Sequence, residues 1–464
     1  MSVTRTRTLG SRLRLGLLAS VFVATGAASA SAETLQGALT RAYGNNPTLN
    51  AQRASVRATD ENVARAKAGY RPRITGSADV GINYTEATSA GQTRSQTTYP
   101  RGLGITVDQN LFNGFRTDNT VRQADSSVLG ARETLRNNEQ NTLFDAASAY
   151  MGVLRDTALL DLQRNNVEVI EEQLRQVQDR FNVGEVTRTD VAQAEARLAL
   201  SRSQASLAES TLRTSIGRYR QIIGVEPRSL APGRPLDAMV PRSIEEAQRR
   251  AQEEHPAIKA ALHGVDVAAL QVRITEGELY PSLGVRGSAS QRFDQQGPGT
   301  EVFSASAVLQ LTVPIYEGGE VYARTRQAKE TEGQRRLEAD AVREQVRAAV
   351  ISSWGQYEAA KAQITAAEAQ VEAAETALTG VREEARVGQR TTLDVLNAQQ
   401  ELLNARVNLI TAQRDRVVAS YAVVQATGRL NSRALGLAVQ HYSPKLHYDQ
   451  VKDLWGGLTT PDGR

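Results

Sequence analysis

The chain contains no cysteine. That excludes structural disulfides, thiolate metal sites and a lipid chain carried on an N-terminal cysteine. Stability has to come from packing. Proline is missing from two long stretches, between Pro100 and Pro227 and between Pro314 and Pro444. Both are rich in Ala, Leu, Glu, Gln and Arg, residues with little to lose on entering a helix, so nothing in them interrupts very long helices. Beyond the first 32 residues no apolar run is long enough for a membrane helix. If the mature chain crosses a bilayer, it must do so as a closed β-barrel, the other structure that satisfies every backbone polar group in lipid. Neither sign of charge dominates, with 55 basic and 51 acidic residues.

What is present begins with an address. Arg5, Arg7, Arg12 and Arg14 precede an apolar stretch from Leu15 to about Ala27, followed by the small-residue sites Ala28-Ser29-Ala30 and Ala30-Ser31-Ala32. Residues 1–32 read as a secretory signal peptide. Removing its four Arg from the 55 bases leaves 51 against 51 acids. The basic pI therefore belongs largely to the leader and is no argument for nucleic-acid binding.

The rest of the chain says one thing twice. Thr34-Leu35-x-x-Ala38…Ala42…Asn46-Pro47 returns as Ser243-Ile244-x-x-Ala247…Ala251…His255-Pro256. Leu111-Phe112-x-Gly114 returns as Ile315-Tyr316-x-Gly318. Phe181-Asn182-Val183-Gly184…Asp190-Val191 returns as Ala385-Arg386-Val387-Gly388…Asp394-Val395. The period is far longer than that of a solenoid, so the chain is one duplicated half. The expected first repeat is 33–242, with a helix over 35–68, strands 73–84 and 101–112, and helices 115–181 and 189–224. The second is 243–442, with a helix over 243–278, strands 282–293 and 301–315, and helices 319–385 and 392–428. Residues 443–464 form a C-terminal tail, either wrapped around the waist of the helices or disordered.

Apolar residues at three-and-four spacing, such as Val167, Ile170, Leu174 and Val177, form a narrow seam for a partner helix. Glycine at Gly184 and Gly388 suits a left-handed helix end, and Thr187-x-x-Asp190 and Thr391-x-x-Asp394 read as capping boxes that restart the chain. The four strand segments alternate apolar and polar residues over the length of a transmembrane β-strand. Alternation alone equally fits a soluble sheet with one wet face. The leader and the aromatics at strand ends favour the barrel: Tyr84 with Phe293, Tyr99 with Phe303, and Phe112 with Tyr316 suit an interfacial girdle. The hairpin loops Thr85–Thr98 and Asp294–Thr300 are polar. Four strands cannot close a barrel, so the wall must be shared between copies and the protein is an obligate oligomer.

This layout resembles the TolC-like outer-membrane efflux family over about residues 33–440. The duplicated Asn-Pro and His-Pro, the paired strands and Val387-Gly388-Gln389-Arg390-Thr391-Thr392-Leu393-Asp394-Val395 carry the resemblance. It implies an α+β membrane protein with duplicated halves, a homotrimer with a 12-stranded barrel in the lipid of the cell outer membrane and an α-helical barrel in the periplasm. It implies an exit duct for type I secretion or drug efflux, docked to a periplasmic adaptor (membrane fusion protein) and an inner-membrane ABC or RND translocase. Val183, Gly184, Val387 and Gly388 are the tips where an adaptor docks. Asp394 matches a position of an acidic ring in the family's periplasmic gate, and Arg390 matches one that holds the closed tip through Thr189 and Asp190. Asn397 stands where a second aspartate often occurs, and Ala385 where a tyrosine latch can be found, so a gate with fewer locks is expected. Asp394 is equally well placed as the third helical residue of its capping box.

No residue pattern for catalysis, cofactor or metal is present, and nothing points to nucleic acid. The four histidines lack ligand company, His255 reads as a turn or capping residue before Pro256, and Gly318-Gly319 lacks the Lys-Ser/Thr of a phosphate loop. The chain reads as no enzyme. The rival reading is a soluble periplasmic coiled-coil adaptor or structural protein, which has no need of the four alternating strands.

Overall fold

Each half begins with a helix broken at proline. The computed structural model describes residues 32–295 and 297–463; the expected leader, apart from Ala32, lies outside them. α1 (Leu35–Asn45) and α2 (Pro47–Lys67) replace the single helix expected over 35–68. The residue before a proline is pushed out of helical geometry, and proline itself is comfortable as the first helical residue. Asn46 takes that extended conformation, and its side chain accepts the Leu49 N–H at 3.1 Å, so it ends one helix and caps the next.

The first sheet strands follow: β1 (Arg73–Val80), β2 (Asn83–Ser89), β3 (Gln92–Thr98) and β4 (Arg101–Asn113). Strand 73–84 was expected to be continuous. It breaks at Gly81, which faces Pro100: the Gly81 N–H donates to the Pro100 carbonyl at 2.9 Å, and proline has no N–H to return. Beyond the break, the expected loop Thr85–Thr98 is instead a β2–β3 hairpin. α3 (Arg116–Asn182) and α4 (Arg188–Ile223) complete the first half.

The second half repeats the plan. α5 (Ile244–Glu254) and α6 (Pro256–Glu276) replace the single helix expected over 243–278, for the same reason at His255-Pro256. The His255 Nδ1 accepts the Ala257 N–H at 3.2 Å, and burial pushes its pKa down to about 4, so it serves as a neutral cap. Then come β5 (Ser282–Phe293), β6 (Glu301–Thr312), α7 (Glu320–Arg386) and α8 (Thr392–Ala426). β6 stops at Thr312 rather than running to 315, because Pro314 lies just beyond and cannot donate to a ladder. At 67 residues each, α3 and α7 run about 100 Å at 1.5 Å per residue.

The strands pair antiparallel in the order β1-β4-β5-β6, so each repeat contributes two neighbours to one sheet. The largest core lies away from the sheet. Leu39 and Tyr43 of α1, Leu143 and Tyr150 of α3, Tyr219 of α4, Tyr421 of α8 and Leu430 pack as one buried cluster. The Tyr150 hydroxyl donates to the carbonyls of Glu33 at 2.7 Å and Ala231 at 2.5 Å, pinning the segments that enclose it. Trp354 is partly buried against Tyr357 and Val350. The tail is ordered as α9 (Pro444–Val451), and it runs along α2. His447 Nδ1 lies 3.0 Å from the buried Asp60 carboxylate, and the Tyr448 hydroxyl donates to Asp125 at 2.8 Å.

Candidate functional site

Two places combine regular geometry with groups left facing outward: the helix tips and the sheet. At the tips, α3 and α7 end in the same way. Gly184 and Gly388 take φ of 81° and 80°, a left-handed conformation that costs glycine nothing. The Glu185 N–H donates to the Arg180 carbonyl and the Gln389 N–H to the Glu384 carbonyl, both at 2.9 Å, closing the long bond of a Schellman end. Val183 and Val387 stand 73% and 67% exposed at the two turns.

The chain then restarts through two capping boxes. Thr187 N–H and hydroxyl donate to Asp190 at 2.9 and 2.7 Å, and Thr391 N–H and hydroxyl donate to Asp394 at 2.9 and 2.8 Å. Bonds from Thr187 hold the Asp190 carboxyl below the usual carboxylate range, and those from Thr391, backbone first, do the same for Asp394. Both stay charged near neutrality.

Arg390 does not reach Thr189 or Asp190 within the chain. Its Nε donates to Glu384 at 2.7 Å, six residues back on its own tip. Asp190 is already engaged by Thr187, and the nearer acid captures the guanidinium. Arg180 makes the matching bond to Glu185 at 3.0 Å on the other tip.

Asn397 accepts a hydrogen bond from Arg197 of α4 at 2.9 Å. The preceding residue, Leu396, packs against Ile170 of α3 and Leu198 of α4. These contacts fasten α8 to the first helical hairpin. Sequence reasoning missed Arg197, because the pair joins positions that are not equivalent in the two repeats and no local spacing announces it. Ala385 lines a cleft of about 710 Å³ between α3 and the α7–α8 tip, together with Glu172, Arg180, Arg382 and Leu396.

In the sheet, register sorts side chains into two faces. One carries Ile74, Val107 and Ala307 in one row, Ile105, Ala289 and Ala305 in the next, and Ala78, Leu103 and Phe303 in a third. Ile74, Leu103, Ile105, Phe303, Leu309 and Leu311 on this face are exposed. The other face carries Thr75-Thr106-Ser288-Ser306 and Ser77-Gly104-Ser290-Ser304. Charged rows flank that hydroxyl band, with Arg286 on Asp108 at 2.5 Å and Arg292 on Asp79 at 2.9 Å. Arg292 reaches Asp79 across Gly102; a Cβ there would come within 3.2 Å of the Arg292 side chain.

The expected girdle aromatics fall at two levels. Phe112 pairs with Leu283 near the helices, because a bulge at Leu111 shifts the alternation by one, and Tyr316 lies just past β6. Phe293 and Phe303 lie at the far end of the sheet, with Tyr99 between β3 and β4. Tyr84 sits beyond the break, in the β2–β3 hairpin, and its hydroxyl donates to Glu86 at 2.9 Å. Among the described residues no helix is long and apolar enough to cross a membrane, and no acidic or histidine cluster could hold a metal.

A duplicated frame of paired strands continued by helical hairpins is the fold of outer-membrane channel subunits. The Campylobacter jejuni CmeC outer membrane channel superposes with a TM-score of 0.76 at 16% identity, covering 90% of this chain and 89% of that one. The chain belongs to the outer membrane efflux protein family, whose profile matches residues 38–225 and 248–429. Outer membrane efflux protein BepC of Brucella suis biovar 1 (strain 1330) is 44% identical over 452 residues, 97% of this chain and 96% of that protein. Alkaline protease secretion protein AprF of Pseudomonas aeruginosa is 26% identical over 412 residues, 86% of this chain and 85% of the relative. Members of the family are channels. The protein resides in the outer membrane and extends into the periplasm.

Proposed function

We propose that the protein is a passive, non-enzymatic exit duct for type I secretion or drug efflux, built from three copies and gated at the periplasmic tips. The observation that carries the reading is the sheet. Its four strands have an exposed apolar face, a polar face lined by hydroxyls, and β1 and β6 unpaired at the edges. An open sheet of that kind satisfies its edges in lipid only by joining other copies, β6 of one against β1 of the next. Three copies supply the 12 strands of a closed wall. Exposed Leu207 on α4 and Leu337 and Ile351 on α7 give the long helices apolar surface for the same neighbours. The soluble adaptor reading leaves the apolar sheet face unexplained and is not favoured.

The Asp394 residues of three copies form an acidic ring at the axis, which attracts cations and repels anions. Arg390 fixes its own tip through Glu384, and the Arg197–Asn397 bond ties α8 back to α4. Asn397 thus acts in the gate as a neutral tether rather than as a second acidic ring. Thr189 and Asp190 lie on the opposing tip and meet Arg390 only across copies. The exposed Val183 and Val387 beside Gly184 and Gly388, with the cleft at Ala385, are the surface offered to a periplasmic adaptor. That adaptor links the duct to an inner-membrane ABC or RND translocase, which supplies energy and selects the cargo. Tyr99, Phe293 and Phe303 at one level and Phe112 and Tyr316 at the other form the two interfacial girdles, with Tyr84 beyond the first in the β2–β3 hairpin.

Single-channel recording in planar bilayers tests the gate. The expected result is a closed-state leak larger than that of a relative keeping both the tyrosine latch and the second aspartate. A leak equal to or below that relative's contradicts the gate reading. Co-purification with a translocase after cross-linking in cells identifies the cargo class.

A further inference from the structure

We infer that the C-terminal tail is a membrane-interface anchor, seating Trp455 and Leu458 among the phospholipid headgroups of the periplasmic leaflet. The inference rests on the outer-membrane sheet described above. Four contacts fix where the tail goes. His447 docks on Asp60 of α2 at 3.0 Å, and Tyr448 on Asp125 of α3 at 2.8 Å. Lys67 holds Asp453 at 2.6 Å. Arg71, two residues before β1, donates to the carbonyls of Asp453 at 3.2 Å and Leu454 at 3.3 Å. The tail is thereby carried to the level where helices become strands. There it turns through Gly456-Gly457 and comes back toward α2, where Asp462 lies 3.7 Å from Arg57.

The side of the wall follows from register. Asn113 ends the polar face of β4, opposite Ser282. It lines a cavity of about 480 Å³ with Asn62, Arg65, Thr117 and Gln123, so these residues of α2 and α3 continue the side of the polar strand face, which is the lumen side in a closed wall. On α2, Asn62 and Arg65 lie opposite Asp60 and Lys67, which hold the tail, at 100° per residue. The tail therefore runs on the outer side of the wall.

At that level and on that side, Trp455 is 85% exposed and Leu458 is fully so. Tyr70, Phe115, Tyr280 and Tyr316, all exposed, stand around the same junction. Such an indole, at the level where helices become strands, suits the boundary of bilayer and water, where an amphipathic ring is satisfied at both ends. A neighbouring copy is the other possible occupant, and the test separates the two.

The chain has two tryptophans, Trp354 and Trp455. Full-length Trp354→Phe leaves only the tail indole, and Trp455→Phe leaves only the helix one. Phe303→Trp with both native indoles replaced by Phe reports on the sheet face. Each protein is reconstituted in vesicles of phosphatidylethanolamine and phosphatidylglycerol carrying bromine either shallow or deep on the acyl chains. The tail indole should lose about twofold of its emission to shallow bromine and less to deep, while Trp354 is unaffected. Tail emission indifferent to bromine, with the sheet indole quenched, overturns the anchor and spares the barrel. Blue-shifted but unquenched tail emission places it against a neighbouring copy and also overturns the anchor. If the sheet indole is unquenched too, the membrane reading of the sheet fails, and the anchor fails with it.

Discussion

The two halves of the chain share a frame and fill it differently. α3 and α7 have the same length, both restart in a Thr-Asp capping box, and both end on a glycine with the same φ. Yet α1 presents Leu39 and Tyr43 to a large buried cluster, where α5 has Gln248 and Gln252. Leu143 of α3 is fully buried, while Arg347 at the equivalent place on α7 is exposed. Tyr150 is sealed and hydrogen-bonded, while its counterpart Trp354 is only partly covered. The first half closes its main core within the chain, leaving the β1 edge and Leu207 of α4 to a neighbour. The second leaves much of α7 facing outward, which is what a protomer designed to be finished by a neighbour requires. Duplication fixed the geometry, and divergence decided which surfaces close at home.

The largest effects should come from breaking the filled half or the lipid face. Leu143→Ala should cost about 2–5 kcal/mol, as a fully buried leucine does on truncation. Val350→Ala, in the smaller cluster of the second half, should cost less; the two are compared by denaturant melts of the isolated protein in detergent. Leu309→Arg on the apolar face of β6 should cost about 2–4 kcal/mol and deplete the protein from the outer membrane. Ser306→Arg, on the polar face of the same strand, should leave fractionation unchanged.

A smaller contrast separates the two tips. Thr187→Ala and Thr391→Ala each remove a capping side chain worth about 0.5–2 kcal/mol to its helix. Only Thr391→Ala should raise closed-state conductance, because the acidic ring is assigned to the second tip. Equal conductance changes in the two variants would remove that assignment. Arg197→Ala should raise the leak more than Arg390→Ala, since Arg197 joins α4 to α8 and Arg390 braces one tip on itself. An exposed pair of either kind is worth about 0.2–1 kcal/mol.

The smallest effect is that of pH. The Asp190 and Asp394 carboxyls are held below the ordinary 3.8 by Thr187 and Thr391. A carboxyl depressed in the folded state stabilises fully above its unfolded pKa and stops doing so as pH falls through the folded one. Gate conductance should therefore be flat from neutrality down to the ordinary carboxylate value and rise only below it. A step in conductance near pH 6 would contradict these caps.

The sequence made the local chemistry legible and the long-range pairing obscure. Val183-Gly184 and Val387-Gly388 announced the tips, because left-handed ends and capping boxes are set by a few adjacent residues. The period-two segments announced the sheet. Asn46-Pro47 and His255-Pro256 are visible as a repeat, and His255 reads correctly as a capping residue, but the break that each proline makes is hidden within a strongly helical context. The end of β1 at Gly81 depended on Pro100 lying opposite it, a fact of pairing. So did the bulge that swapped Leu111 for Phe112 on the apolar face. Arg197 with Asn397 follows from how α4 and α8 lean together, which no spacing within one helix records; Glu384 meets Arg390 because the tip turn folds back on the end of α7. The tail's route depended on His447 finding a buried aspartate far away in the chain.

The central claim is that four strands per chain close into a wall only between copies. Because the native chain has no cysteine, one cysteine introduced on β1 and one on β6 can be read without background. Within a chain these strands are separated by two others, roughly 14 Å at 4.7–4.9 Å per step, too far for a disulfide. Scanning pairs along the two edges and oxidising the protein in outer membranes should give a register at which the non-reducing gel shows a ladder ending at the trimer. A ladder that ends at the dimer, or no interchain bond at any register, would contradict the account.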